Sequence, residues 1–269
     1  MSALAEVFAR TRAEGRAALI GYLPAGYPSV EASIAALTAM VAAGVDVVEV
    51  GLPYSDPLLD GPTIQAAVDA ALARGVTTTD VLRTVREVGA TGAPTLVMSY
   101  WNPIARYGVE RFATDLAAAG GAGTITADIT PDEAGDWVRA TDAHALDRVF
   151  LVAPSSTDAR IAYTARHSRG FVYAAAVMGV TGAREQVGAA AAGLVARVRA
   201  VTDLPVCVGL GVSTGPQARE VASFADGVIV GSAFVRCLLD AVDDAAGIAA
   251  VSSLARELAH GVRGGVVAR

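Results

Sequence analysis

Eight short apolar runs, each followed by a stretch of helical spacing, constrain this chain more than any other feature. The runs fall at 17–22, 45–51, 94–100, 124–128, 148–153, 171–176, 205–211 and 227–231. Continuous apolar runs of this length suit strands of a parallel sheet covered on both faces. Helical spacing follows at about 30–43, 62–74, 77 onward, 108–119, 131–140, 158–168, 188–201 and 215–223, with a short helix near 232–240 and a last one to about His260. This order predicts an α/β protein closed into a (β/α)₈ TIM barrel. An extra N-terminal helix over 2–14 places Leu4, Val7 and Phe8 together. An open doubly wound sheet is the alternative, but the G-x-G-x-x-G that would favour it is missing after the first strand. No break in composition divides the chain, so residues 1–269 read as one domain, with 262–269 as a flexible tail.

Charge and residue usage exclude several functions. The formal charge of −6 and the absence of a basic run argue against nucleic acid as a partner. All 21 cationic side chains are arginine. Without lysine the chain cannot run a Schiff-base aldolase, bind pyridoxal phosphate covalently or build a Walker-type loop. Cys207 and Cys237 lie in apolar segments without metal-ligand spacing and read as free thiols of a reducing compartment. His144, His167 and His260 lie away from strand ends, which argues against a metal centre or a Ser-His-Asp triad. The N-terminus lacks a signal-peptide pattern and no run of about 18 apolar residues suggests a span. A cytoplasmic protein with no membrane association is expected.

Barrel enzymes carry their chemistry at the C-terminal ends of strands and in the loops that follow. In Asp46-Val-Val-Glu-Val-Gly-Leu-Pro-Tyr-Ser-Asp-Pro-Leu-Leu-Asp60-Gly61, the period of two puts Val47, Glu49 and Gly51 on one face. Glu49 then points into an apolar layer, where burial raises its pKa and suits it to proton exchange near neutrality. An acid satisfied by a neighbouring hydroxyl is the competing reading. Spacing alone favours Asp60 as the cap of a helix starting near Pro62, and Asp56 as a turn residue beside Ser55. Glycines in Gly179-Val-Thr-Gly182, Gly209-Leu-Gly211 and Gly231-Ser232 end or follow the last three strands. Tight turns would explain them, but three sets in succession, with a short helix after the eighth strand, suit a phosphate held by backbone N–H groups. Met178 to Gly188 is long, polar and glycine-bearing, and reads as a lid.

These residues resemble the family of tryptophan synthase α subunits over essentially the full length. Val48-Glu-Val-Gly-Leu-Pro-Tyr-Ser-Asp-Pro-Leu-Leu-Asp-Gly61 is close to that family's signature, and Gly179-Val-Thr-Gly-Ala-Arg184 and Gly231-Ser-Ala233 are similar to its other motifs, in the same order. The resemblance implies retro-aldol cleavage of indole-3-glycerol phosphate to indole and glyceraldehyde 3-phosphate. It makes Glu49 the proton-transfer residue and Asp60 the acceptor of the indole N–H, against the capping role suggested by spacing. It also implies that Tyr22, Ile125, Ala127, Tyr173 and Leu210 line an indole slot, that Thr181 orients Asp60, and that Gly182, Gly211, Gly231 and Ser232 hold the phosphate. The family works as an α₂β₂ complex, so a β subunit carrying the pyridoxal phosphate is the implied partner, met by Pro53, Asp56 and Pro57. No cofactor is expected in this chain.

Departures from the family pattern spare Glu49 and Asp60. Asp128-Ile129-Thr130 stands where Asp-Leu-Pro is usual, Leu210 where an aromatic residue is common, and Val177-Met178 at the start of the lid. The first keeps open a stand-alone lyase releasing free indole; a chain that mainly activates a β partner is a separate alternative. Another phosphate-binding barrel, such as a sugar-phosphate isomerase or epimerase, is the remaining enzymatic alternative.

Overall fold

The computed structural model describes residues 1–176 and 184–264. Its strands are β1 (Ala18–Pro24), β2 (Val47–Gly51), β3 (Thr95–Ser99), β4 (Gly123–Thr126), β5 (Asp147–Val149), β6 (Leu151–Val152), β7 (Val172–Ala175), β8 (Val206–Gly209) and β9 (Gly227–Val230). All pairings are parallel. The sheet order runs β5-β4-β3-β2-β1-β9-β8-β7-β6. Its two end strands are consecutive in the chain across Phe150, whose carbonyl accepts the Tyr173 N–H at 3.2 Å, so the sheet closes on itself. β5 and β6 are therefore two parts of one barrel strand. The sequence places them in a single run at 148–153.

The helices are α1 (Ala3–Ala13), α2 (Val30–Ala42), α3 (Pro62–Ala73), α4 (Thr78–Gly89), α5 (Trp101–Tyr107), α6 (Val109–Ala118), α7 (Gly135–Ala143), α8 (Asp158–His167), α9 (Arg184–Arg199), α10 (Gly215–Ala222), α11 (Ser232–Leu239) and α12 (Asp244–Arg263). Two expected caps form. Ser29 accepts the Ala32 N–H at 3.0 Å, and the Asp80 carboxylate accepts the Thr77 N–H at 2.9 Å and its hydroxyl at 2.7 Å. The helix expected at 108–119 forms as α6, and a further helix, α5, precedes it, divided from it by Gly108 at φ 100°. Helix α12 runs to Arg263 and buries Val262, beyond the expected start of a tail. The expected lid, 178–188, lies largely outside the described residues, as do 265–269.

Two apolar layers follow from the strand period. Ile20, Val47, Leu96, Ile125, Val149, Phe171, Cys207 and Ile229 fill the barrel, while Leu19, Val48, Val50 and Val97 face the helices. Helix α1 closes the floor with Leu4, Val7 and Phe8, and Phe8 meets Phe171 edge-on at 5.8 Å. Asp46, just before β2, fastens this end. It takes a paired salt bridge from Arg16 at 2.7 and 2.8 Å and accepts the Leu19 N–H at 3.0 Å. The floor and the start of β2 are thus pinned, leaving the opposite mouth for chemistry.

Candidate active site

Strand β2 lies between β1 and β3 with Glu49 opposite Tyr22 on one side and Leu96 on the other. Glu49 is 1% exposed, and its Oε1 has no hydrogen-bond partner among the described residues. Loss of hydration is the whole cause that pushes its carboxyl up to about 8. The competing reading, an acid satisfied by a neighbouring hydroxyl, has no support at that oxygen.

Two tyrosines surround Glu49 because glycines make room for them. A Cβ at Gly51 would collide with the Tyr22 hydroxyl, and one at Gly209 with the Tyr173 hydroxyl. Burial first, then the Asp60 and Glu49 carboxylates, raise the Tyr22 phenol; burial and Glu49 raise that of Tyr173. These groups therefore share one low-dielectric chamber at the mouth. Ile125 is fully buried in the barrel interior, Ala127 half-buried after β4, and Leu210 buried after β8.

Asp60 is not a helix cap. Gly61 occupies the N-cap of α3 with Pro62 in the first turn, and the Asp60 Oδ1 accepts the Tyr100 hydroxyl at 3.1 Å. Burial raises its pKa and the Tyr100 hydrogen bond opposes the rise. Tyr100 was visible in the sequence at the end of the third run, where barrel chemistry is found, but its tie to a residue 40 positions earlier was not. The same loop carries Pro53, buried; Asp56, exposed and accepting the Ser55 hydroxyl at 2.6 Å; and Pro57, half-buried. A cleft of about 620 Å³ lies beside it, lined by Pro53, Asp56, Asn102 and Arg106 among others.

The opposite side of the mouth is built from backbone. Gly231 precedes α11, and its carbonyl accepts the N–H groups of Phe234 at 2.9 Å and Val235 at 3.1 Å. The first N–H groups of the helix, at Ser232 and Ala233, have no intrahelical acceptor and present the positive end of the dipole. Gly211 takes φ 67°, a conformation that a side chain would strain. A Cβ at Gly231 would come 3.2 Å from the Tyr22 ring, so this corner adjoins the tyrosine that faces Glu49. Thr181 and Gly182 lie outside the described residues.

A closed parallel barrel with a buried acid inside it, a second carboxylate on the loop that follows the same strand and free helix N–H groups after the last strand defines the TIM-barrel class and carries the groups that acid–base chemistry needs. Comparison narrows the class. The family model described as tryptophan synthase alpha chain matches residues 8–263. A tryptophan synthase alpha chain from Salinispora arenicola is 64% identical over 263 residues, covering 98% of both chains, and one from Acidothermus cellulolyticus is 62% identical with the same coverage. A solved tryptophan synthase from Mycobacterium tuberculosis superposes with a TM-score of 0.90 at 56% identity, covering 97% of this chain and 98% of that one. The alpha subunit from Legionella pneumophila gives 0.88 at 31%, covering 97% and 98%. The chain belongs to the tryptophan synthase alpha chain family, whose members are carbon–carbon lyases of tryptophan biosynthesis. Among the described residues no helix is long and apolar enough to cross a membrane.

Proposed function

We propose that this chain cleaves indole-3-glycerol phosphate to indole and glyceraldehyde 3-phosphate, with Glu49 moving both protons and Asp60 holding the indole N–H. The buried, unpartnered Glu49 carboxyl carries this reading, because its raised pKa keeps it protonated at neutral pH. The protonated acid first gives its proton to indole C3, and positive charge spreads to the ring nitrogen. Asp60 stabilises that charge through the N–H. The Glu49 carboxylate then takes the proton of the side-chain hydroxyl next to the ring. The carbon–carbon bond breaks, its electrons return to the indole, and the aldehyde forms. Glu49 ends protonated, ready for another cycle.

Tyr22, Ile125, Ala127, Tyr173 and Leu210 form the slot for the ring in this scheme, while Gly211, Gly231 and Ser232, joined by Gly182, take the phosphate. Thr181 orients Asp60. Pro53, Asp56 and Pro57 meet a β subunit in an α₂β₂ complex. That partner carries the pyridoxal phosphate, which a lysine-free chain cannot bind as a Schiff base.

Indole release by the purified protein, measured with and without a β subunit, tests the whole reading. Low turnover alone with strong stimulation by the partner is the expected result. High turnover alone would make it a stand-alone lyase, and retained β activation without cleavage would make it a regulator. Glu49→Gln is expected to abolish cleavage with the fold intact, and near-normal turnover would overturn the mechanism.

A further inference from the structure

Fixing Asp60 is a problem that its own loop does not solve. The two residues before it, Leu58 and Leu59, are 77% and 59% exposed, so the segment has little packing to define it. The Gln65 side chain donates to the Asp60 carbonyl at 2.6 Å, which holds the main chain but not the carboxylate. Among the described residues, the only side chain that holds the carboxylate is Tyr100. Its ring is 4% exposed and packs on Tyr54 with centroids 5.4 Å apart. Its hydroxyl accepts the Leu59 N–H at 2.9 Å and lies 3.1 Å from the Asp60 Oδ1. A phenol has one proton, so a hydroxyl meeting an N–H donor on one side and a carboxylate on the other gives that proton to the carboxylate.

We propose that Tyr100 is a positioning residue for the cleavage: its hydroxyl clamps one oxygen of Asp60 and leaves the other directed to the indole N–H. The inference rests on the role given to Asp60 above. The accepted Leu59 bond polarises the hydroxyl and strengthens its bond to Asp60. That bond favours the ionised form of Asp60 against the effect of burial. The titratable groups facing this corner are Tyr22 from β1, Glu49 from β2 and Tyr54 from the loop itself, while Asp128 from the β4 loop accepts the N–H of Trp101, next to Tyr100.

Tyr100→Phe keeps the ring and removes the clamp. Cleavage should fall about tenfold to a hundredfold, mainly in kcat, because the Asp60 bond strengthens as charge develops on the ring. The acid limb of the pH–rate profile should move to higher pH as Asp60 becomes harder to ionise. Discrimination between a non-cleavable indole-alkyl phosphate and its N-methyl counterpart should shrink. A purely packing role would move neither the limb nor that ratio. Placing 3-fluorotyrosine at position 100, a stronger donor of the same shape, should move the acid limb the other way. An unchanged limb and ratio in Tyr100→Phe would overturn the proposal. Asp60→Asn separates the two levels: retained turnover there would sink the Asp60 role itself, whereas lost turnover beside an unaffected Tyr100→Phe would sink only the clamp.

Discussion

Burying Glu49 without a partner should make this protein less stable as pH rises, and Glu49→Gln should remove that dependence. In the unfolded chain the carboxyl titrates near its ordinary 4.5; in the folded barrel burial pushes it up to about 8. Between these values the folded state holds a proton that the unfolded state has released. Stability therefore falls as pH rises through the window, and the loss levels off above about 8. At about 1.4 kcal/mol per pH unit, the full penalty is about 5 kcal/mol, a large part of a typical domain's stability.

Glutamine retains nearly the same shape and has no charge to desolvate. Urea unfolding followed by far-UV circular dichroism, run on both proteins at about pH 5 and about pH 9, gives the comparison. The advantage of Glu49→Gln over the parent should grow by about 4 kcal/mol between the two conditions. Other titrating groups are common to both proteins and cancel in the difference. A constant difference would mean that Glu49 is solvated or paired in the folded chain. That result would remove the physical basis for its holding a proton at neutrality.

The same protonation should appear in catalysis: kcat/KM for indole release should decline above about pH 8 as Glu49 of the free enzyme loses the proton required at the first step. At the barrel floor, Asp46→Ala would take from the buried Arg16 guanidinium its paired salt bridge, leaving Glu14 as its ionic partner, and would leave the Leu19 N–H without its acceptor; a loss of about 2–4 kcal/mol in urea unfolding is expected, with kcat of the folded fraction unchanged. Gly209→Ala should displace the Tyr173 hydroxyl and lower kcat/KM at least about tenfold. Adding Tyr173→Phe to that variant should recover part of the loss by freeing the space the new methyl needs, and a thermal melt of each variant checks that the fold is kept.

Strand positions were legible because a parallel barrel buries both faces of every strand and so leaves continuous apolar runs. The break at Phe150 was not, since a single residue shifts pairing from β4 to β7 without changing the apolar pattern. Helix α5 was hidden for another reason. Its first N–H, at Trp101, is met by the Asp128 Oδ1 at 2.7 Å from a loop 27 residues later, so no local capping residue announces it. Asp60 failed the same way in reverse. An aspartate before Gly-Pro has the spacing of a cap, yet Gly61 takes that position and the carboxylate finds a tertiary partner in Tyr100. Local rules described the main chain well; they could not see which distant hydroxyl would compete for a side chain.

That competition gives two carboxylates from one short stretch different surroundings. Burial raises both, so burial alone would push Asp60 and Glu49 in the same direction. Glu49 sits on a strand whose neighbours are apolar or are tyrosines, and nothing among the described residues donates to its Oε1. Asp60 sits on a loop at the rim, where Tyr100 supplies the donor that favours its charged form. An acid that must give up a proton and an anion that must receive an N–H need opposite environments. A strand interior beside a proline-rich rim loop supplies both within a dozen residues. In the proposed mechanism the separation of roles therefore rests on Tyr100 as well as on the two acids, since Tyr100 donates to Asp60 and nothing among the described residues donates to the Glu49 Oε1.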